Sequence, residues 1–175
     1  MGHTKDATSA KWSSDDTDVQ IDIDNAKEAV RAACGVAPKT LVLGGAVYSK
    51  LRQNAKLRAL VSDTKNKPLL PLELLKELLE LDHIIVGNAV SSPDGVRATT
   101  DIWGNFASLI VRPDQVSSGN DEGVPSFGYT FRRRGMPMVD RYTELGGKVE
   151  YVRYTDIRKS AVVGSNCGYL FTNVI

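Results

Sequence analysis

Three consecutive arginines, Arg132, Arg133 and Arg134, are the densest run of one charge in this sequence. They follow an aromatic alternation of Phe127, Tyr129 and Phe131. Such a run can grip a nucleic-acid backbone or an acidic protein surface. A solvated strand end is the plainer reading, and the whole-chain balance favours it. The chain carries 22 Lys+Arg against 21 Asp+Glu, a net charge of +1. A dedicated nucleic-acid binder shows a clear basic excess.

Leu41 to Tyr48 reads as a strand, a glycine turn at Gly44 and Gly45, and a helix start. That order can cradle a phosphate on backbone N–H groups. The third glycine of a dinucleotide fingerprint is missing, as is the Gly-Lys-Ser/Thr of a phosphate loop. A simple tight turn is therefore the stronger reading, with a small phosphate-binding enzyme as the outlying alternative.

His3 and His83 are the only histidines, and neither has a Cys or His at metal-ligand spacing. His83 reads as a structural residue opening a strand. Asp82 precedes it, but adjacent strand residues point to opposite faces. The Gly164 to Gly168 segment carries Asn166 where a nucleophile elbow needs serine. Cys34 and Cys167 lie in no metal or redox motif, and read as two reduced, buried thiols. The acids Asp15, Asp16, Asp22, Asp24, Asp121 and Glu122 fall in a tail, a helix start and a loop. None has the apolar surroundings that tune a general acid. The residues name no catalyst, cofactor or metal.

The elements that would position these residues come helices first and strands late. Residues 1–20 are rich in Ser, Thr, Asp and Lys and read as a flexible segment, Trp12 being the one anchor. Met1 to His3 reads as an appended start. A helix follows, capped by Asp22 or Asp24, with Ile23, Ala26, Val30, Ala33 and Cys34 on one face and Gly35 ending it. A buried strand at Thr40 to Leu43 precedes a helix around Val47 and Leu51, continued or restarted at Leu57, Leu60 and Val61. Pro71 opens another helix with a stripe of Leu72, Leu75, Leu78 and Leu79. Strands are expected at 84–86, 106–111, 127–131, 139–143, 148–155, 160–163 and 169–174, with a turn at 91–95 and a long loop over 112–125. Helices and strands in this order point to an α+β fold.

The chain has 175 residues, 42% of them hydrophobic and 25% charged, so it can bury a core as one domain or two small interwoven ones. No apolar run approaches the roughly 18–20 residues of a membrane span. The start lacks the apolar centre of a signal peptide.

The order of the segments is more telling than any one of them. Ile23 to Val30, Pro38 to Gly44 and Val47 to Leu51 form the first group. Leu74 to Leu79 leading to His83 to Val90 is the second. Ile102 to Val111 with Pro125 to Phe131 is the third, and Gly168 to Ile175 the last. This succession resembles the major capsid proteins of tailed bacteriophages, with the Hong Kong 97-type shell fold. The resemblance implies an axial domain over 39–144 and peripheral-domain elements at 21–38, the end of the long spine helix, and at 145–175. It implies the C-terminal portion of such a protein, lacking the N-terminal arm and extended loop that clasp neighbours. It also implies a non-enzymatic structural subunit that assembles with itself into pentamers and hexamers of an icosahedral shell enclosing DNA. The expected location is the virion, and the host cytoplasm during assembly. Without the arm, closure of a shell is in doubt: the reading allows weak, salt-sensitive self-association through charged loops or an isolated monomer. A bacterial nanocompartment shell of the same fold is the alternative. The candidate subunit contacts are Asp63, Lys65 and Lys67 in one polar loop, Asp121 and Glu122 in another, and Arg132, Arg133 and Arg134.

Overall fold

The computed structural model describes residues 2–61, 69–92, 98–113 and 125–175. The chain divides into two compact units. One runs up to Phe127 and resumes at Gly164–Ile175; the other is Gly128–Val163. Within the larger unit the long helix and the central strands share one core.

The larger unit is built on a mixed five-stranded sheet. Its strands are β1 (His3–Asp6), β2 (Thr40–Gly44), β3 (His83–Gly87), β6 (Phe106–Ile110) and β11 (Gly168–Thr172), in the order β1-β11-β6-β2-β3. β1 runs parallel to β11 and β2 parallel to β3; the remaining pairs are antiparallel. Parallel neighbours require a crossover. Here α2 (Gly45–Leu51), α3 (Ala55–Ala59) and α4 (Leu72–Leu78) lie between β2 and β3. A short ladder joins β4 (Val90–Ser91) to β5 (Thr100–Asp101). Together with the helices this makes the fold a mixture of helix and strand, as the sequence order indicates.

The helix α1 (Val19–Cys34) starts a turn earlier than its sequence suggests. Asp18, in extended conformation, accepts the Ile21 N–H at 3.3 Å and is the cap. Asp22 is taken up elsewhere: it pairs with Lys5 and accepts the Trp12 indole N–H at 3.3 Å. Val19, Ile23, Ala26 and Val30 form the buried stripe, while Ala33 is exposed. Gly35 ends the helix at φ 80°, with its N–H on the Arg31 carbonyl.

The first residues are not the flexible segment that their composition suggests. β1 pairs along β11, Trp12 is fully buried, and its ring lies 5.0 Å from that of Phe171. The Trp12 N–H donates to the Val174 carbonyl at 2.7 Å. Asn54, almost fully buried, holds the turn that follows: its amide donates to the carbonyls of Trp12 and Ser14, and its Oδ1 caps α3 through the Leu57 N–H. One large aromatic side chain and a ladder of backbone bonds offset an otherwise polar composition.

Gly44 and Gly45 do not form an open turn. β2 passes directly into α2, and Gly44 lies beside Gly87 in the ladder. A methyl group at Gly87 would fall 2.2 Å from the Trp103 ring, and one at Gly44 would fall 3.1 Å from Trp103 Cβ. Trp103 therefore packs closely against both glycines, and a Cβ at Gly45 would meet the Asn88 side chain.

A second, smaller cluster joins Val30, Val111 and Cys167, with Cys34, Phe127 and Tyr169 against it. Cys167 is buried, but Cys34 is only half-buried, so only one thiol matches the expected burial. Burial, together with a hydrogen bond to the Cys34 sulfur, pushes the Cys167 thiol from 9.0 up to about 11.

Two outcomes follow from these contacts. Trp12→Ala lowers stability by about 3–5 kcal/mol in denaturant unfolding, the usual cost of emptying a large aromatic site. A loss near zero would mean that the segment is a loose tail. The raised Cys167 pKa gives a stabilising contribution that is complete below pH 9 and lost as the pH rises through about 11. Stability over that window thus falls by about 2–3 kcal/mol more in the parent chain than in Cys167→Ser.

Candidate interaction surface

Gly128–Val163 is a twisted ribbon of two antiparallel ladders. β7 (Gly128–Arg132) pairs with β10 (Arg158–Val162), and β8 (Met138–Thr143) pairs with β9 (Glu150–Thr155). The sequence favours these strands through period-two alternation of aromatic and β-branched residues. Gly146 and Gly147, at φ 115° and 71°, turn the chain between β8 and β9. Gly128 is required where it stands, because a Cβ there would lie 2.8 Å from the Ala161 carbonyl oxygen.

The β8–β9 register sorts side chains onto two faces. On one, Tyr142 stacks on Tyr151 at 5.1 Å and 14°, beside an ion pair of Arg153 with Asp140 at 2.7 Å. Hydrogen bonding to Asp140 holds the Arg153 guanidinium charged above its ordinary range. On the other face Val139 lies opposite Tyr154 and Arg141 opposite Val152. Val139, Val152 and Tyr154 are each about 60% exposed or more, at 58%, 61% and 64%. No residue from Gly128 to Val163 is buried. Cross-strand pairs of this kind contribute only about 0.2–1 kcal/mol each. Two-stranded ribbons without a covered face are marginal on their own.

The charge of the ribbon is also distinctive. It carries eight Lys+Arg against four Asp+Glu, net +4, whereas the rest of the chain carries 14 against 17, net −3. The arginine run divides here. Arg132 lies directly across from Arg158, and both approach Asp156, at 3.2 Å and 3.9 Å. Among the described residues, Arg133 and Arg134 are exposed and form no ion pair. Asp63, Lys65, Lys67, Asp121 and Glu122 lie outside the described residues. The aromatic and aliphatic face of β8–β9 escaped the reading of the sequence. Its signal was available as an alternation with no second element of matching pattern to cover it.

No group of three or more metal-ligating side chains occurs among the described residues. His83 is exposed at the start of β3. A shallow depression of about 580 Å³ lies between α1 and α4. Its cations Lys27, Lys39 and Lys76 are each matched by an acid, namely Asp24, Asp82 and Glu73.

No family model matches the chain. It is 36% identical over 155 residues to a major capsid protein of Burkholderia phage BcepMu, a match covering 87% of this chain and 49% of that protein. The crystal structure of a phage-related protein from Bordetella bronchiseptica RB50 superimposes with a TM-score of 0.80 at 30% identity, over 98% of this chain and 56% of that one. A virus-like particle from Pyrococcus furiosus aligns at a TM-score of 0.46 and 16% identity, too weak a likeness to bear on fold or function. The chain spans about half the length of the curated relative that it matches.

The ribbon's lack of a core has a measurable consequence in the monomer. Backbone amides of β8 and β9 exchange with solvent on the order of a hundredfold faster than those of β2, β6 and β11. Hydrogen-exchange mass spectrometry checks this; equal protection in both units would mean that the ribbon is stabilised from within.

Proposed function

We propose that this chain, 36% identical over 155 residues to a bacteriophage major capsid protein, serves as a structural subunit of a viral shell, acting through self-association and not catalysis. The observation that carries this reading is the ribbon: no buried residue, and an exposed apolar face at Val139, Val152 and Tyr154. Such a face is stable when something covers it. A second copy fits that need, because a ribbon of net +4 is complementary to a body of net −3. A ribbon of one copy on the body of the next is a head-to-tail contact, and contacts of that kind form rings when the rotation between copies closes. In this reading the fold is the Hong Kong 97-type shell fold, Arg133 and Arg134 belong to the subunit contact, and the setting is the virion, reached from the host cytoplasm.

Sedimentation and electron microscopy of the chain at rising concentration test this. Association is expected, and Val139→Asp with Tyr154→Asp weakens it by at least about 2 kcal/mol, the scale of central interface residues. Arg133→Ala with Arg134→Ala reduces its salt sensitivity. Association that ignores all four substitutions would overturn the ribbon as the contact.

A further inference from the structure

The two cysteines are distant in sequence and adjacent in space. Cys34 is the last residue of α1, and Cys167 closes a 3-10 turn, Ser165–Cys167, that leads into β11. Both belong to the cluster around Val30 and Val111. Cys34 packs against the cluster that holds Cys167, and the Cys34 thiol donates to the Val36 carbonyl at 3.4 Å. The turn is held from both sides: the Cys167 N–H donates to Gly164, and the Cys167 carbonyl accepts the Val111 N–H. Two thiols packed in one small cluster, one half-buried and one buried on a fixed turn, are arranged as an attacking and a resolving sulfur.

We propose that Cys34 and Cys167 are a redox-sensitive dithiol that closes to a disulfide, stapling the end of α1 to the entry of β11. The oxidant is a small-molecule disulfide. Cys34, the more exposed thiol, attacks one of its sulfurs; the first half leaves as a thiol, taking the Cys34 proton. Cys167 then attacks the Cys34 sulfur of the mixed disulfide and expels the second half, which takes the Cys167 proton. Two protein S–H bonds and one small-molecule S–S bond become one protein S–S bond and two small-molecule S–H bonds, a two-electron oxidation of the protein. In a reducing cytosol the pair stays open; in an oxidising medium it closes. The raised pKa of Cys167 slows the second step near neutrality, and closure quickens as the pH rises toward about 11.

The cross-link closes a long loop, so it removes conformational freedom from the unfolded chain. The test treats the chain with oxidised glutathione at pH 8 and at pH 10. Intact mass, non-reducing peptide mapping and thermal unfolding are read before and after dithiothreitol. The expected result is a mass lower by two hydrogens, a linked peptide pair containing Cys34 and Cys167, and an unfolding midpoint several degrees higher than in the reduced chain, on the order of 4 °C or more. Closure is faster at pH 10. Cys34→Ser, a change at a half-buried site that leaves Cys167 in place, abolishes both the cross-link and the shift. A persistent glutathione adduct on Cys34, or disulfide-linked dimers in place of the internal link, would overturn the proposal. So would a cross-linked chain with an unchanged midpoint.

Discussion

The contact between Trp12 and Phe171 is the one on which the larger unit depends. It brings the first dozen residues onto the last strand, and so gives the sheet its outer member. Without it β1 would be held by its edge hydrogen bonds and by polar side-chain contacts such as Lys5 with Asp22. β11 would be an edge strand in place of a second-from-edge one, with unpaired backbone groups exposed. Asn54 completes the arrangement from the other side. It answers the backbone of the Trp12 turn and the Leu57 N–H in the first turn of α3 with a single side chain. A buried amide in that position is costly unless its donors and acceptor are used, and here they are.

The two units obey opposite rules. The body buries Leu41, Leu43, Leu109 and Phe171 among its helices and needs no partner to cover them. The ribbon has the strand signals of the body but no second layer, so its apolar side chains remain outside. A hydrophobic face that folding does not use is available to association, and the opposed net charges of ribbon and body favour copies meeting in that sense.

Much of this was legible in the sequence, and what was not has identifiable causes. α1 showed in its three-and-four spacing, β2 in its unbroken apolar run and β7 to β11 in their alternation, because each pattern reflects burial by its own neighbours. The cap of α1 was misplaced because several aspartates compete over Asp18 to Asp24, and only the tertiary pull of Lys5 and Trp12 on Asp22 decides among them. β1 was invisible because its stability comes from β11, some 165 residues away in register, and not from its own composition. The arginine run was prominent in the sequence but is not uniform: Asp156 neutralises one end, and only two of its three residues remain outside ion pairs among the described residues. The apolar ribbon face was written in the alternation, yet an alternation does not tell whether its apolar side is covered.

Sheet order has a further consequence. The body's outer strands are β1 and β3, and both come from segments whose hold on the sheet is one-sided. β1 is polar and short, backed by Trp12 and tied to α1 by the Lys5–Asp22 pair. β3 is fixed by Gly87 under the Trp103 ring and by the Asp82 and His83 N–H groups on the Lys39 carbonyl. Edge strands invite pairing with other chains unless something blunts them. Lys5 and Asp6 blunt one edge with charge, and His83 with the Lys39–Asp82 pair lies at the start of the other. Association through extended sheet pairing is thereby disfavoured at these two edges, in keeping with the proposal that copies meet through side chains of the ribbon.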